Sequence, residues 1–135
     1  MITVSTVIKN KTTAQVWDYF TNPKHVMNWN YAGDDWHCPK AENDLEVGKS
    51  FNYTMAAKNG EMSFDFTGIY TEIEHLSKIS YVLADDRKIH ITFQETEEGI
   101  EIIEKFDPET ENSEEMQQTG WQMILNNFKK YSEAN

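Results

Sequence analysis

The chain holds few of the residues that announce chemistry. There is one cysteine, Cys38, in 135 residues, so no internal disulfide can form, and a reducing compartment, the cytoplasm, is the expected setting. No apolar stretch approaches the roughly 18 residues that a transmembrane helix needs. The N-terminus, Met1 to Ser5, lacks a basic region followed by an apolar run, so no signal peptide is expected. Basic residues are scarce: 12 against 23 acidic ones give a formal charge of −11. Such a surface repels phosphates and anionic lipid, which argues against nucleic acid and membrane as partners. The six glycines and three prolines are scattered. They form no Gly-rich phosphate loop, no Gly-x-Ser-x-Gly elbow and no linker, and there are no repeats. One domain over residues 1–135 is the expected organisation.

What is present is a folding composition, 39% hydrophobic and 13% aromatic. Ile2, Val4, Thr6 and Ile8 alternate with polar residues apart from Val7, the pattern of a strand. Thr12 and Gln15 fit a capping box opening a helix whose apolar face carries Val16, Trp17 and Phe20. Asn22-Pro23 ends that helix and starts a second short one, to about Met27 or Trp29. Residues 30–49 read as an irregular loop, with Tyr31 and Trp36 packing it down.

From Ser50 the period becomes two. Phe51, Tyr53 and Met55 alternate with Asn52 and Thr54, and Asn59-Gly60 predicts a type I′ hairpin turn. A long strand follows from Met62 to about Glu74, then Ile79–Ala84, Lys88–Thr96 and Ile100–Phe106, each joined by a short turn. This is an antiparallel meander. Asn112 or Ser113 then caps a closing helix of about 20 residues, about 30 Å long. Its predicted buried face runs through Met116, Gly120, Met123, Ile124, Asn127, Phe128 and Tyr131, widened by Trp121 and Leu125. Strand, two short helices, meander and long helix make an α+β protein of two layers. One helix is too narrow to fill the concave side of such a sheet, so a cavity is expected between them.

Several runs, in order, resemble a known family. The helix carrying Val16, Trp17 and Asp18 leads to Thr21-Asn22-Pro23 and then Trp29. Leu45 to Phe51 follows, with Lys49 where the family usually has the second glycine of a pair. Phe66 to Ile73 is similar to the family's strand with an internal glycine, here Gly68. Gly120-Trp121 with Leu125, Phe128 and Tyr131 looks like its closing helix. Together they resemble the activator of heat-shock protein 90 ATPase homologue-like branch of the START-like (SRPBCC) superfamily. The resemblance implies the helix-grip fold, also seen in birch-pollen-allergen-like proteins: a curled antiparallel sheet wrapped around a long C-terminal helix, with two short helices after the first strand. Members of the superfamily bind lipids, hormones or polyketides, and some are cyclases, dehydratases or hydrolases.

No catalytic constellation is visible. His25, His37, His75 and His90 are far apart in the chain, without the spacing of a helical metal site. Adjacent His37 and Cys38 point in opposite directions if extended. Asp34, Asp35 and His37 read as a solvated turn, so neither metal nor cofactor is expected. Cys38 lacks the electropositive surroundings of a nucleophile and reads as a small packed residue. Asp65, between Phe64 and Phe66, belongs on the solvent side of its strand. The expected function is a non-enzymatic module binding a small hydrophobic or amphipathic molecule. Its cavity lining is expected to be Trp29, Trp36, Phe51, Tyr53, Met55, Phe64, Phe66, Trp121, Met123 and Phe128. Alternatives are a co-chaperone-like domain with a protein partner and a cyclase- or hydrolase-type enzyme in the same cavity. The enzyme would require His37, His90 or Tyr53 to face inward.

Overall fold

A computed structural model describes residues 1–135. The elements run β1 (Ile2–Ile8), α1 (Thr13–Thr21), α2 (Pro23–Val26), β2 (Trp36–Asn43), β3 (Ser50–Ala57), β4 (Ser63–Glu74), β5 (Lys78–Leu83), β6 (Lys88–Thr96), β7 (Gly99–Phe106) and α3 (Glu114–Ala134). All seven strands form one antiparallel sheet in the order β1-β7-β6-β5-β4-β3-β2. Strands β2 to β7 are a meander, and β1 adds beside β7. The sheet curls into a half-barrel with α3 on its concave side, which is the helix-grip fold.

Local chemistry sets the helix starts. The Thr12 hydroxyl accepts from the Gln15 amide at 3.1 Å while Gln15 Oε1 accepts from the Thr12 amide at 2.9 Å, completing the expected capping box. Asn22 caps α2 through its side chain, with Pro23 in the first turn. Ser113 caps α3 by accepting from the Met116 amide, and Glu114 and Glu115 lie at its positive end.

The strand pattern puts one apolar face inward. Ile2, Val4 and Ile8 of β1, Phe51 and Met55 of β3, Ile89, Ile91 and Phe93 of β6, and Ile100, Ile102 and Phe106 of β7 are all buried. Val16 and Trp17 of α1 and Leu125 and Phe128 of α3 close over them. Gly68 of β4 stands on this face because a Cβ there would lie 2.9 Å from both the Phe51 and Tyr81 rings.

Three local expectations are corrected. Residues 30–49 are not all loop, because Trp36–Asn43 is a strand paired with β3. Pro39 disguises it: proline cannot donate to a ladder, but β2 is an edge strand and its register slips between His37 and Lys40. The β3–β4 hairpin forms, but Asn59 does not take the positive φ that a type I′ turn requires, and only Gly60 does, at φ 80°. The buried face of α3 is also displaced. Met116 and Met123 are exposed, whereas Gln117 and Ser132 are buried. Gln117 is admitted because its amide is fully used, donating to the Glu109 and Asn112 carbonyls and accepting from the Glu109 amide.

Candidate functional site

A cavity of about 180 Å³ lies between the sheet and α3. Its floor comes from the inward residues of five neighbouring strands: Phe51, Tyr53 and Met55 of β3, Phe64, Phe66 and Tyr70 of β4, Ile79 and Tyr81 of β5, Ile91 of β6, and Glu104 of β7. Phe20 and Thr21 of α1 with Trp29 and Asn30 just after α2 form one wall, and Trp121 and Ile124 of α3 form another. Thr21, Asn30 and Glu104 are the only lining residues that are not hydrophobic.

The aromatic walls brace one another. Trp121 stacks on Phe106 with ring centroids 3.9 Å apart and meets the edge of Phe66 at 6.0 Å. Phe51 stacks on Tyr53 at 4.8 Å and receives the edge of Tyr81 at 4.8 Å. Trp29 lies between Phe20 and Phe128, its indole N–H donating to the Tyr19 carbonyl at 2.9 Å. Phe64 is half exposed and forms part of the mouth.

Polar groups are few and neutral. Tyr70 donates to Asn43 Oδ1 at 2.6 Å, and Asn43 donates in turn to the Thr21 carbonyl at 2.8 Å. This chain ties β4 to β2 and α1. Burial raises the Tyr70 phenol to about 12 and outweighs the opposing hydrogen bonds. It pushes Tyr53 and Tyr81 well above the ordinary phenol value. Glu104 is the exceptional group. It sits between Ile102 and Phe106 on the inward face of β7, 7% exposed, with no hydrogen bond or ion pair to its carboxyl. Desolvation raises it to about 8, so at neutral pH it is a carboxylic acid.

The ten residues expected to line the cavity divide. Trp29, Phe51, Tyr53, Met55, Phe64, Phe66 and Trp121 border it. Trp36 instead packs on Phe64 at 5.9 Å, Phe128 is sealed within the core, and Met123 lies on the outer surface of α3. Of the polar groups considered for catalysis, Tyr53 faces the cavity. His37 is exposed, and His90 lies on the other side of β6, with Nδ1 2.7 Å from Ser80 Oγ. Sequence reasoning missed Glu104, Tyr70 and Tyr81. The signal for Glu104 was available: Ile100, Ile102 and Phe106 alternate, and that register places Glu104 inward with them.

Elsewhere, Cys38 is buried, and burial pushes its thiol up, away from the reactive thiolate. Asp65 faces solvent and accepts from Thr54 at 2.8 Å. No three His, Cys, Asp or Glu side chains gather where they could hold a metal ion. No helix is long and apolar enough to cross a membrane.

The comparisons with known proteins agree with this architecture. The family model described as Activator of Hsp90 ATPase homolog 1-like protein matches residues 10–133. The solution structure of the AHSA1-like protein from Aeromonas hydrophila is 39% identical, with a TM-score of 0.92 over 98% of this chain and 92% of that one. The solution structure of a protein from Cytophaga hutchinsonii is 46% identical, with a TM-score of 0.84 over 99% and 92% of the two chains. A crystal structure from Chromobacterium violaceum shares the fold at 21% identity, with a TM-score of 0.87 over 99% and 98%. No curated protein sequence matches the chain. Near-complete coverage by the family model, with two relatives of the same fold at these identities, settles the assignment: the chain belongs to the Activator of Hsp90 ATPase homolog 1-like protein family.

Proposed function

We propose that the protein is a non-enzymatic binding module that holds a small hydrophobic or amphipathic molecule between the sheet and α3. The observation that carries this reading is the cavity itself. It has aromatic walls, three non-hydrophobic lining residues and a mouth at Phe64, and small-molecule sites share this mix of apolar burial and few polar groups. Its size limits the occupant. A dry cavity of roughly 150 Å³ takes a benzene-sized molecule, so about 180 Å³ suits a single ring or a short branched chain. The strongly acidic surface and single buried cysteine support a cytoplasmic setting without nucleic acid or membrane partners.

The test is native mass spectrometry of protein purified from its own host, compared with the same sample after denaturation. A reproducible added mass, lost on denaturation and of single-ring size, is the expected result. If no mass is retained and a panel of single-ring compounds at millimolar concentration gives no saturation transfer from the protein, the reading fails. A second reading, a co-chaperone-like interaction domain, draws support from the family description and the charge of −11. It predicts binding to a basic protein face that weakens sharply as salt rises, and salt-insensitive binding would refute it.

A further inference from the structure

Glu104 is out of place on an apolar face, and its surroundings narrow what it can meet. Its neighbours across the ladder are Val4 of β1 and Ile91 of β6, neither of which can answer a carboxyl. Tyr81 of β5 is the titratable group that senses its charge, and Tyr53 of β3 and Tyr70 of β4 line the same cavity. The lining from α1 (Phe20, Thr21) and α3 (Trp121, Ile124) carries no ionisable group. No lysine, arginine or histidine borders the cavity. Ser132 Oγ is the one polar side-chain atom sealed from all space without a partner, whereas Glu104 borders the open cavity.

We propose that the cavity selects a small organic ammonium ion, its charge paired with the Glu104 carboxylate and its body held among the surrounding aromatic rings. This rests on the cavity being a ligand site, as proposed above, and adds the chemical class. Three independent features favour a cation. The only formal charge available at the wall is negative. The rings of Trp29, Phe51, Phe66 and Trp121 line the cavity, and aromatic rings attract ammonium groups through their π electrons but do nothing for anions. The net charge of −11 concentrates cations around the molecule and repels anions. In the empty protein at neutral pH, Glu104 holds its proton. Binding an ammonium therefore breaks the Glu104 O–H bond and releases that proton to solvent, and no other covalent bond changes.

The proton release gives a distinctive pH dependence. Affinity for the cation rises up to tenfold per pH unit between pH 6 and about 8, then levels until the amine itself loses its proton. A neutral ligand accepting a hydrogen bond from protonated Glu104 would instead show level affinity up to about pH 8 and weaker binding above it.

The experiment is calorimetric titration of the intact protein with benzylamine, benzyl alcohol and benzoate at pH 6, 7 and 8, repeated on Glu104→Gln and Glu104→Leu. Thermal melts verify that both variants fold, and two substitutions guard against the loss of either. The proposal expects benzylamine to bind at least tenfold more tightly than benzyl alcohol at pH 8, with benzoate weakest. Both variants should erase that preference. If benzyl alcohol binds as well as or better than benzylamine in the wild-type protein, the ammonium assignment is overturned and the cavity remains a ligand site. If a preference for benzylamine persists in both variants, Glu104 does not confer it and the assignment is likewise overturned. If none of the three binds at any pH, the assignment and the single-ring reading of the cavity fall together.

Discussion

Glu104 makes the stability of this protein depend on pH in an unusual direction. Most carboxylates in folded proteins are held at or below their ordinary values, so stability falls as acid protonates them. Glu104 is raised, from 4.5 to about 8. In the unfolded chain it loses its proton near pH 4.5, whereas in the folded chain it keeps it until about pH 8. Between those values the folded state binds one proton more, so stability falls as pH rises across that window. At about 1.36 kcal/mol per pH unit, the full interval amounts to about 5 kcal/mol. That is comparable to the total stability of many domains of this size. Below pH 4.5 both states are protonated and the effect vanishes; above pH 8 it is complete.

Other carboxylates contribute pH dependence of their own, so the measurement is a difference. Urea denaturation of wild type and Glu104→Gln at half-unit steps from pH 4 to 9 isolates the one group. The variant should gain on the wild type by about 1 kcal/mol or more per pH unit between pH 5 and 8, with unchanged m-values. A fully isosteric amide has no proton to lose, so its curve lacks this component. Parallel curves across the window would refute the claim that Glu104 is buried without a partner.

Two glycines are predicted to respond in opposite ways. A Cβ on Gly120 meets nothing within 4 Å, so neither a close backbone approach nor packing requires glycine there. Gly120→Ala should stabilise α3 by about 1 kcal/mol, raising the thermal midpoint by a few degrees, since helix propensity acts alone; a lowered midpoint would show that the gap is used. Gly68→Ala drives a methyl to 2.9 Å from two well-packed rings, Phe51 and Tyr81. It should lose roughly 1–3 kcal/mol by urea denaturation, and an unchanged midpoint would mean that the cavity floor yields freely.

Much of this fold is written in short-range pattern. The capping box at Thr12, the alternation from Phe51 onward and the short turns that join β5 to β6 and β6 to β7 each follow from local chemistry, and the structure forms each of them. Failures occurred where a long-range partner overrides local appearance. Pro39 reads as a strand breaker until β2 is known to be an edge. Met116 and Met123 read as core until Gln117 is seen to satisfy its amide against the 109–112 turn and rotate the buried face towards itself. The difference between Phe128 in the core and Phe66 at the cavity is still less local, because both are phenylalanines on inward faces and only the gap between helix and sheet separates them.

Glu104 is a different kind of miss. Its strand register was legible, and with it the conclusion that an acid must point where Ile102 and Phe106 point. Every other inward position on β7 is apolar, so local pattern and global fold agree at all but one residue. A glutamine or leucine at that position would keep the strand and avoid an electrostatic cost of about 5 kcal/mol at pH 8. Such a cost, carried at the single charged side chain bordering the cavity, is hard to assign to folding. The carboxyl destabilises the empty protein and becomes favourable once something positive enters beside it, so the residue least suited to the core is the one best suited to the cavity's occupant.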